Sequence, residues 1–527
     1  MSKSHEVMFF TDGRHTNTYM YEPPMDIRKY LEPIDDVADL GIDTLVYGVG
    51  DGSVLHYATE AGERWGQNID LVDTAIWYRA GMNLMSAIER GIDPLDIICA
   101  RAQDLGFEFI PSFLVPIGHT PRQRRTNART GNFVQDHPEF QVGPEDHPDA
   151  EHDRPERMSF VHPEVRENRM AIIRELVRKY PTDGVDVNIH SGILPLIARR
   201  DVPEHTQTIT DWIAECRAVC DEAAKEQGRA KRLIVRVAAT MPGLKAMGMD
   251  VEAWIKDGLV DTVIAVPVAG GFESETDLLR DFVEATEGTD VKVVAGINSQ
   301  GPENTREVAT AAATNAYTAG ANGVFFSTYY PSPARYPYDD ASLSRLRFIG
   351  RPEILAHKDK SFRIGPTPER NPGAVYGETG QLPAYPEPGK TGPEITIDVS
   401  DDLAPKEAVG ELWQCELRVM LQNMVHHDKV RLYWNGEEVP EASMRLADWT
   451  YQIRPRPDHA VLGYRLHVDL RGDRLPKQGT NTMRIDILEK DEHLIFPISV
   501  AEVEISVEYL PHRNGIRDDE RWPGYEG

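Results

Sequence analysis

Four carboxylates stand just past short apolar runs, where a side chain is held firmly yet can reach solvent: Asp12, Asp51, Asp186 and Glu273. Two carboxyl groups facing each other, one protonated and one ionised, can break an acetal bond. Around them are groups suited to binding: Arg14, His15, Tyr47, His119, Asn188, His190, Arg236, Asn298 and Tyr329. Their donors and acceptors match a ligand rich in hydroxyls, and the guanidinium groups also match carboxylate or sulfate.

Simpler readings stand beside these. Asp186 and Arg236 also suit an ion pair buried for structural reasons. His190 also suits a loop cap, and Glu275 a first-turn carboxylate favoured by the helix dipole. Tyr329 and Tyr330 taken singly suit packing. His137, His147, His152 and His162 lie near Asp136, Asp146 and Asp153 at spacings that fit no metal-ligand rule, so no metal is expected. The segment Thr11-Asp12-Gly13-Arg14-His15 is no Gly-rich phosphate loop, and no Gly-x-Ser-x-Gly elbow occurs, so neither a cofactor nor esterase chemistry is expected.

The elements that must position these groups are legible. Strand-like runs fall at Val7–Phe10, Thr44–Gly48, Phe107–Val115, Gly184–Ile189, Arg232–Ala239, Thr262–Val268, Lys292–Ile297 and Gly323–Thr328. Nearly continuous Val, Ile and Phe is the mark of a buried parallel strand. Helical patterns alternate with them: Asp93-Pro94, Pro163-Glu164, Asp250-Val251 and Pro302-Glu303 open helices, and Gly258 and Gly320 close two. Eight such units predict an α/β fold, a (β/α)8 TIM barrel over residues 1–350, with an open doubly wound sheet as its rival. The polar residues above then gather at the C-terminal strand ends. Long loops at 51–70, with His56, Tyr57 and Trp65, and at 116–162 and 191–204 are expected to wall a pocket.

Residues 351–392 are rich in Pro and Gly and read as a linker. From 393 to 511 about seven strand-like segments, with Asn435-Gly436 as a hairpin turn, predict an all-β sandwich of jelly-roll type. Residues 512–527 form a polar tail.

Lys and Arg number 57 against 85 Asp and Glu, a net charge of −28. That field disfavours nucleic acid and anionic membrane as partners. The four cysteines form no Cys-x-x-Cys pair, and Cys216 and Cys220 lie on an apolar stripe as core thiols. No apolar run reaches membrane-span length, and the N-terminus carries no secretory h-region, so a cytoplasmic protein is expected.

Certain segments resemble a known family. Asp183-Gly184-Val185-Asp186-Val187-Asn188, Val235-Arg236-Val237, His137-Pro138-Glu139-Phe140 and the run from Gly248 to Asp261 look like the glycosyl-hydrolase-like, family-10-type TIM-barrel proteins. Leu432-Tyr433-Trp434-Asn435-Gly436, with Gly479-Thr480-Asn481, looks like the galactose-binding-type sandwiches appended to such barrels. The resemblance implies a glycoside hydrolase-like enzyme acting on a small oligosaccharide or glycoside, a homo-oligomer being left open. One position departs: where the family's strand 4 continues with a second Asp, this chain has Asn188, and its Arg position is Ser191. Asparagine cannot ionise. A sugar lyase or epimerase, or a carbohydrate-binding barrel without catalysis, are the alternatives.

Overall fold

The apolar runs become parallel strands because each is buried on both faces and has no polar side to turn outward. The structure is a computed structural model describing residues 5–52, 54–67, 72, 74–116, 131–143, 157–189, 196–267, 271–298, 305–327, 343, 346–366, 380–449 and 463–510. The barrel strands are β1 (Glu6–Thr11), β2 (Thr44–Asp51), β3 (Glu108–Leu114), β4 (Gly184–Asn188), β5 (Arg232–Ala238), β6 (Thr262–Val266), β7 (Lys292–Asn298) and β8 (Gly323–Ser327). Each pairs in parallel with the next, and β1 pairs with both β2 and β8, with Met8 opposite Thr44 and Glu6 opposite Gly323. The sheet is therefore a closed barrel, and the open-sheet rival is excluded.

Strand alternation divides the side chains into two cores. Met8, Phe10, Val46, Ile110, Ile234, Ile264 and Phe325 fill the barrel interior. The opposite faces pack beneath the surrounding helices. Helix ends follow their capping residues: the Asp93 and Asp250 carboxylates accept from the Leu95 and Ala253 amides at 3.1 and 3.2 Å. The helix Pro163–Arg178 buries Ile172, Ile173, Leu176 and Val177 on one face. Cys216 and Cys220 are buried in the same core, and burial pushes both thiols above their ordinary range. The helix before β8 is described from Arg306, with Thr305 as its cap; the expected Pro302 start lies outside the described residues.

The second domain is two antiparallel sheets around one apolar core. Its strands are β9 (Lys360–Ile364), β10 (Glu394–Val399), β11 (Leu412–Gln422), β12 (Lys429–Trp434), β13 (Met444–Trp449), β14 (Gly463–Asp469), β15 (Gly479–Glu489) and β16 (Ser499–Tyr509). One sheet runs β9-β16-β11-β14-β13 and the other β10-β15-β12 plus the two-residue strand Glu437–Glu438. Asn435 and Gly436 both take positive φ, 49° and 85°, closing the hairpin in which Trp434 faces Glu437. Part of the stretch expected as linker is structural. In β9, Phe362 and Ile364 are buried in the sandwich core, an alternation too brief to stand out among prolines. The polar tail lies outside the described residues. Among those residues, no helix is long and apolar enough to cross a membrane.

The helix Arg306–Thr318 joins the two domains. Every residue from Val308 to Ala316 is buried. Its Ala309, Ala312 and Ala313 belong to the barrel core, whereas Ala311 belongs to the sandwich core. Small side chains let the β-sheet approach the helix backbone closely, and a helix with no polar face must be covered all round.

Candidate functional site

At the barrel axis, β4 and β5 run in register with Asn188 opposite Arg236, and β3 places Ser112 opposite Asp186. The Arg236 guanidinium donates to Asp186 Oδ2 and, at 3.1 Å, to Ser112 Oγ, whose hydroxyl donates to the same carboxylate oxygen at 2.7 Å. Phe10 and Phe325 carry the guanidinium on their rings, at 4.5 and 4.4 Å from the centroids. Both ionic partners are buried. Burial pushes Asp186 above the ordinary carboxylate range, an effect that Arg236 and Ser112 only partly offset. Among the described residues, its Oδ1 and the Arg236 Nε have no hydrogen-bond partner. Among the described residues, the pair thus keeps one carboxyl oxygen and one guanidinium N–H to spare in the barrel interior.

One step nearer the rim on the inward face of β1, beyond Phe10, stands Asp12. Its Oδ1 accepts from the backbone amides of Arg14 and His15, both at 3.0 Å, an Asx-type turn. Its Oδ2 accepts from the Arg14 guanidinium at 3.4 Å and meets His15 Nδ1. Burial would raise this carboxyl, but the Arg14 charge and the bonds from His15 prevail and hold it well below the usual range. An ionised carboxylate only accepts, so the proton between it and His15 sits on Nδ1. The His15 side chain is 30% exposed and edges against Tyr19 at 5.1 Å. Trp65 lies beneath, with Arg14 at 5.9 Å and His56 at 4.4 Å from its ring.

Two glycines make this turn. Gly13 has φ +67°, and a Cβ there would come within 2.3 Å of the Tyr47 hydroxyl; a Cβ on Gly48 would come within 3.0 Å of Asp12 Cα. Tyr47 belongs to the core between strands and helices. Its place is behind the Asp12 turn as a buttress. Tyr57 likewise faces a helix, donating to Glu175 at 2.9 Å.

Glu273 follows β6 in the loop before the helix Asp277–Ala285. Burial is the main cause that raises it, to about 7; Arg363 of β9 draws it down and Glu275 adds to the rise. Its charged neighbours therefore include a residue of the sandwich. The side chains of Asp51 and Asn298, and the whole of His119, His190 and Tyr329, lie outside the described residues. The structure thus gathers Asp186, Asn188 and Arg236 in one interior group and Asp12, Arg14 and His15 in another directly above Phe10. Sequence reasoning passed over Ser112, Phe10 and Phe325, although alternation along β1, β3 and β8 puts all three inside. Among the described residues, no group of three or more acidic, His or Cys side chains is placed to hold a metal.

No protein-family model matches the chain, and no curated protein sequence matches it. Solved structures similar to it include the glycoside hydrolase domain of PgaB (BpsB) from Bordetella bronchiseptica, at 14% identity and TM-score 0.40, covering 65% of this chain and 98% of that one. Another is the C-terminal domain of a putative chitinase from Desulfitobacterium hafniense DCB-2, at 10% identity and TM-score 0.39, covering 66% and 99%. A family GH18 chitinase from Chromobacterium violaceum, at 10% identity and TM-score 0.33, spans 94% of this chain and 91% of its own.

Proposed function

We propose that this protein is a carbohydrate-active enzyme of glycoside hydrolase type, cleaving a glycosidic bond in a short oligosaccharide that carries acidic or sulfated sugars. The observation behind this is the opposite state of two buried carboxyl groups on one inward surface, Asp12 held ionised and Asp186 pushed towards its protonated form. Separated acid and base roles arise from environments that drive two such groups apart. Asp186 is the proton donor of this reading, and Asp12 acts as the ionised partner through the imidazole it orients. Asn188 cannot ionise, so on β4 only Asp186 can exchange a proton. Arg14 and Arg236 supply charge for an acidic sugar, and the partly exposed rings of His15 and Tyr19 offer faces to sugar C–H groups.

One observation favours a second reading. A histidine held by a buried carboxylate is also equipped to remove a carbon-bound proton beside a uronic carboxyl group, which would give elimination or epimerisation. The test is incubation with a panel of neutral, uronic and sulfated oligosaccharides, followed by product chromatography. New reducing ends without an unsaturated sugar support hydrolysis; an ultraviolet-absorbing unsaturated end supports elimination. Binding without turnover across the whole panel overturns both in favour of a sugar-binding barrel. Asp186→Asn, run in parallel, is expected to abolish whichever turnover is found.

A further inference from the structure

The free side of β10, the edge strand of its sheet, is occupied by the barrel loop that follows β6. The Asp398 amide donates to the Ser274 carbonyl at 2.7 Å, while the Asp398 carboxylate accepts from the Thr276 amide at 2.9 Å and its hydroxyl at 2.6 Å. Donor and acceptor on one residue thus meet acceptor and donors of the loop, as across a pair of strands. The other carboxylate oxygen accepts from Thr480 at 2.7 Å. Between those two loop residues, Glu275 accepts from Gln381 at 2.8 Å, and Gln381 is itself bonded to Thr396 on β10. Behind the strand, Asn315 donates to the Asp398 carbonyl at 3.1 Å and Ser400 to Thr314 at 2.9 Å. Three successive residues of a rim loop, Ser274, Glu275 and Thr276, are therefore gripped by the sandwich, and Glu273 is the residue immediately before them.

We infer that the β-sandwich is a working part of the barrel rim and that Asp398 is a positioning residue, fixing the 271–276 loop and with it the Glu273 carboxyl. The physical argument is the number of constraints. A loop between a strand and a helix normally settles its own backbone groups; here the Ser274 carbonyl is settled by a backbone amide, and the Thr276 amide by a buried carboxyl group, of another domain. The groups around the Glu273 carboxyl and its clamp are Arg363 from β9, Glu275 and Asp277 from the barrel, and Arg280, 3.6 Å from Asp398. The inference rests on the proposed function only in taking the C-terminal rim as the working end.

The test compares Asp398→Ala with Asp398→Asn in the full chain. The readout is the titration midpoint of Glu273, followed by NMR of carbon-13-labelled glutamate carboxyls and assigned with Glu273→Gln. In the wild type the midpoint is expected at about 7, and in Asp398→Ala it is expected to fall towards the ordinary 4.5 as the released loop takes water. Asp398→Asn keeps an oxygen for Thr276 and is expected to stay near the wild-type value. On any oligosaccharide found to be turned over, Asp398→Ala should lower kcat at least tenfold while melting remains cooperative. An unchanged Glu273 midpoint in a folded Asp398→Ala protein would overturn the inference, leaving Asp398 as a clamp between domains. If that variant does not fold, Thr276→Val, which removes one bond, is read the same way against Thr276→Ser. The absence of turnover on every sugar would sink the proposed function but leave the titration result standing.

Discussion

The two ends of the barrel interior treat charge differently. At the N-terminal end, Arg232 donates to Glu6 at 2.7 Å, to Glu108 at 2.5 Å and to Thr262 at 2.8 Å, while Thr44 donates to both carboxylates at 2.9 and 3.0 Å. This knot is closed: its acids and base serve one another. At the C-terminal end, Asp186 and Arg236 bond through one oxygen and one terminal nitrogen, and the other carboxyl oxygen and the Arg236 Nε find no partner among the described residues. A barrel that needed charge only for stability would have no reason to differ between its ends. We assign the lower knot to holding eight strands in register and, on the proposed function, the upper group to meeting a ligand.

That comparison can be broken in several places. The largest expected effect is at the lower end. Arg232→Met strands two half-buried carboxylates and should cost about 3–5 kcal/mol in denaturant unfolding. Turnover per folded molecule should be unaffected; a loss of turnover at full stability would reverse the assignment of the two ends. Next is the rim dyad. His15→Gln should lower kcat by about 10²–10⁴, with the unfolding midpoint almost unmoved because the ring is partly exposed. Equal turnover in that variant would remove His15 from the chemistry. Gly13→Ala follows, since a left-handed backbone and the Tyr47 hydroxyl both oppose a Cβ. A loss of about 2 kcal/mol is expected, together with weaker sugar binding, read by calorimetry on the same sample.

The last effect is a change of slope with pH. Glu273 binds its proton more tightly folded than unfolded, so its stability contribution is full below about 4.5 and declines as pH rises to about 7. Asp12 is the reverse: its contribution is present above about 3.8 and lost as pH falls further. Glu273→Gln should flatten the stability profile between those first two values, and Asp12→Asn should flatten only the acid limb. Thermal melts across pH decide both, and identical profiles in wild type and variants would discard the assignments.

Much of the barrel was legible because burial on both faces leaves an unambiguous trace: all eight runs became strands, each within three residues of its expected ends. Which strand-end residues point inward was legible too, since Asp186, Asn188 and Arg236 alternate with valines. What alternation cannot say is what each polar group will find. Tyr47 reads like a rim tyrosine, yet it sits on the outer face of β2, because Thr44, Val46 and Gly48 take the inner one. Ser112 lay hidden in a strand read simply as apolar. Glu273 was found by its place after β6, but its setting depends on Arg363 and Asp398, some 90 and 125 positions away along the chain, and no local pattern carries such a pairing. The alanine and threonine run from Val308 to Ala316 did hold a signal for two-sided burial, in its lack of any charged face.

That same helix sets an order of events during synthesis. Among the described residues, β9, which packs beside it, has its only ladder with β16, whose first residue comes 135 positions after the last of β9 (499 − 364). Until the ribosome has delivered β16, β9 has no ladder partner among the described residues, and Ala311 lacks the finished sandwich core that covers it. The nascent barrel therefore passes through an interval with an unfinished apolar flank, which β16 closes.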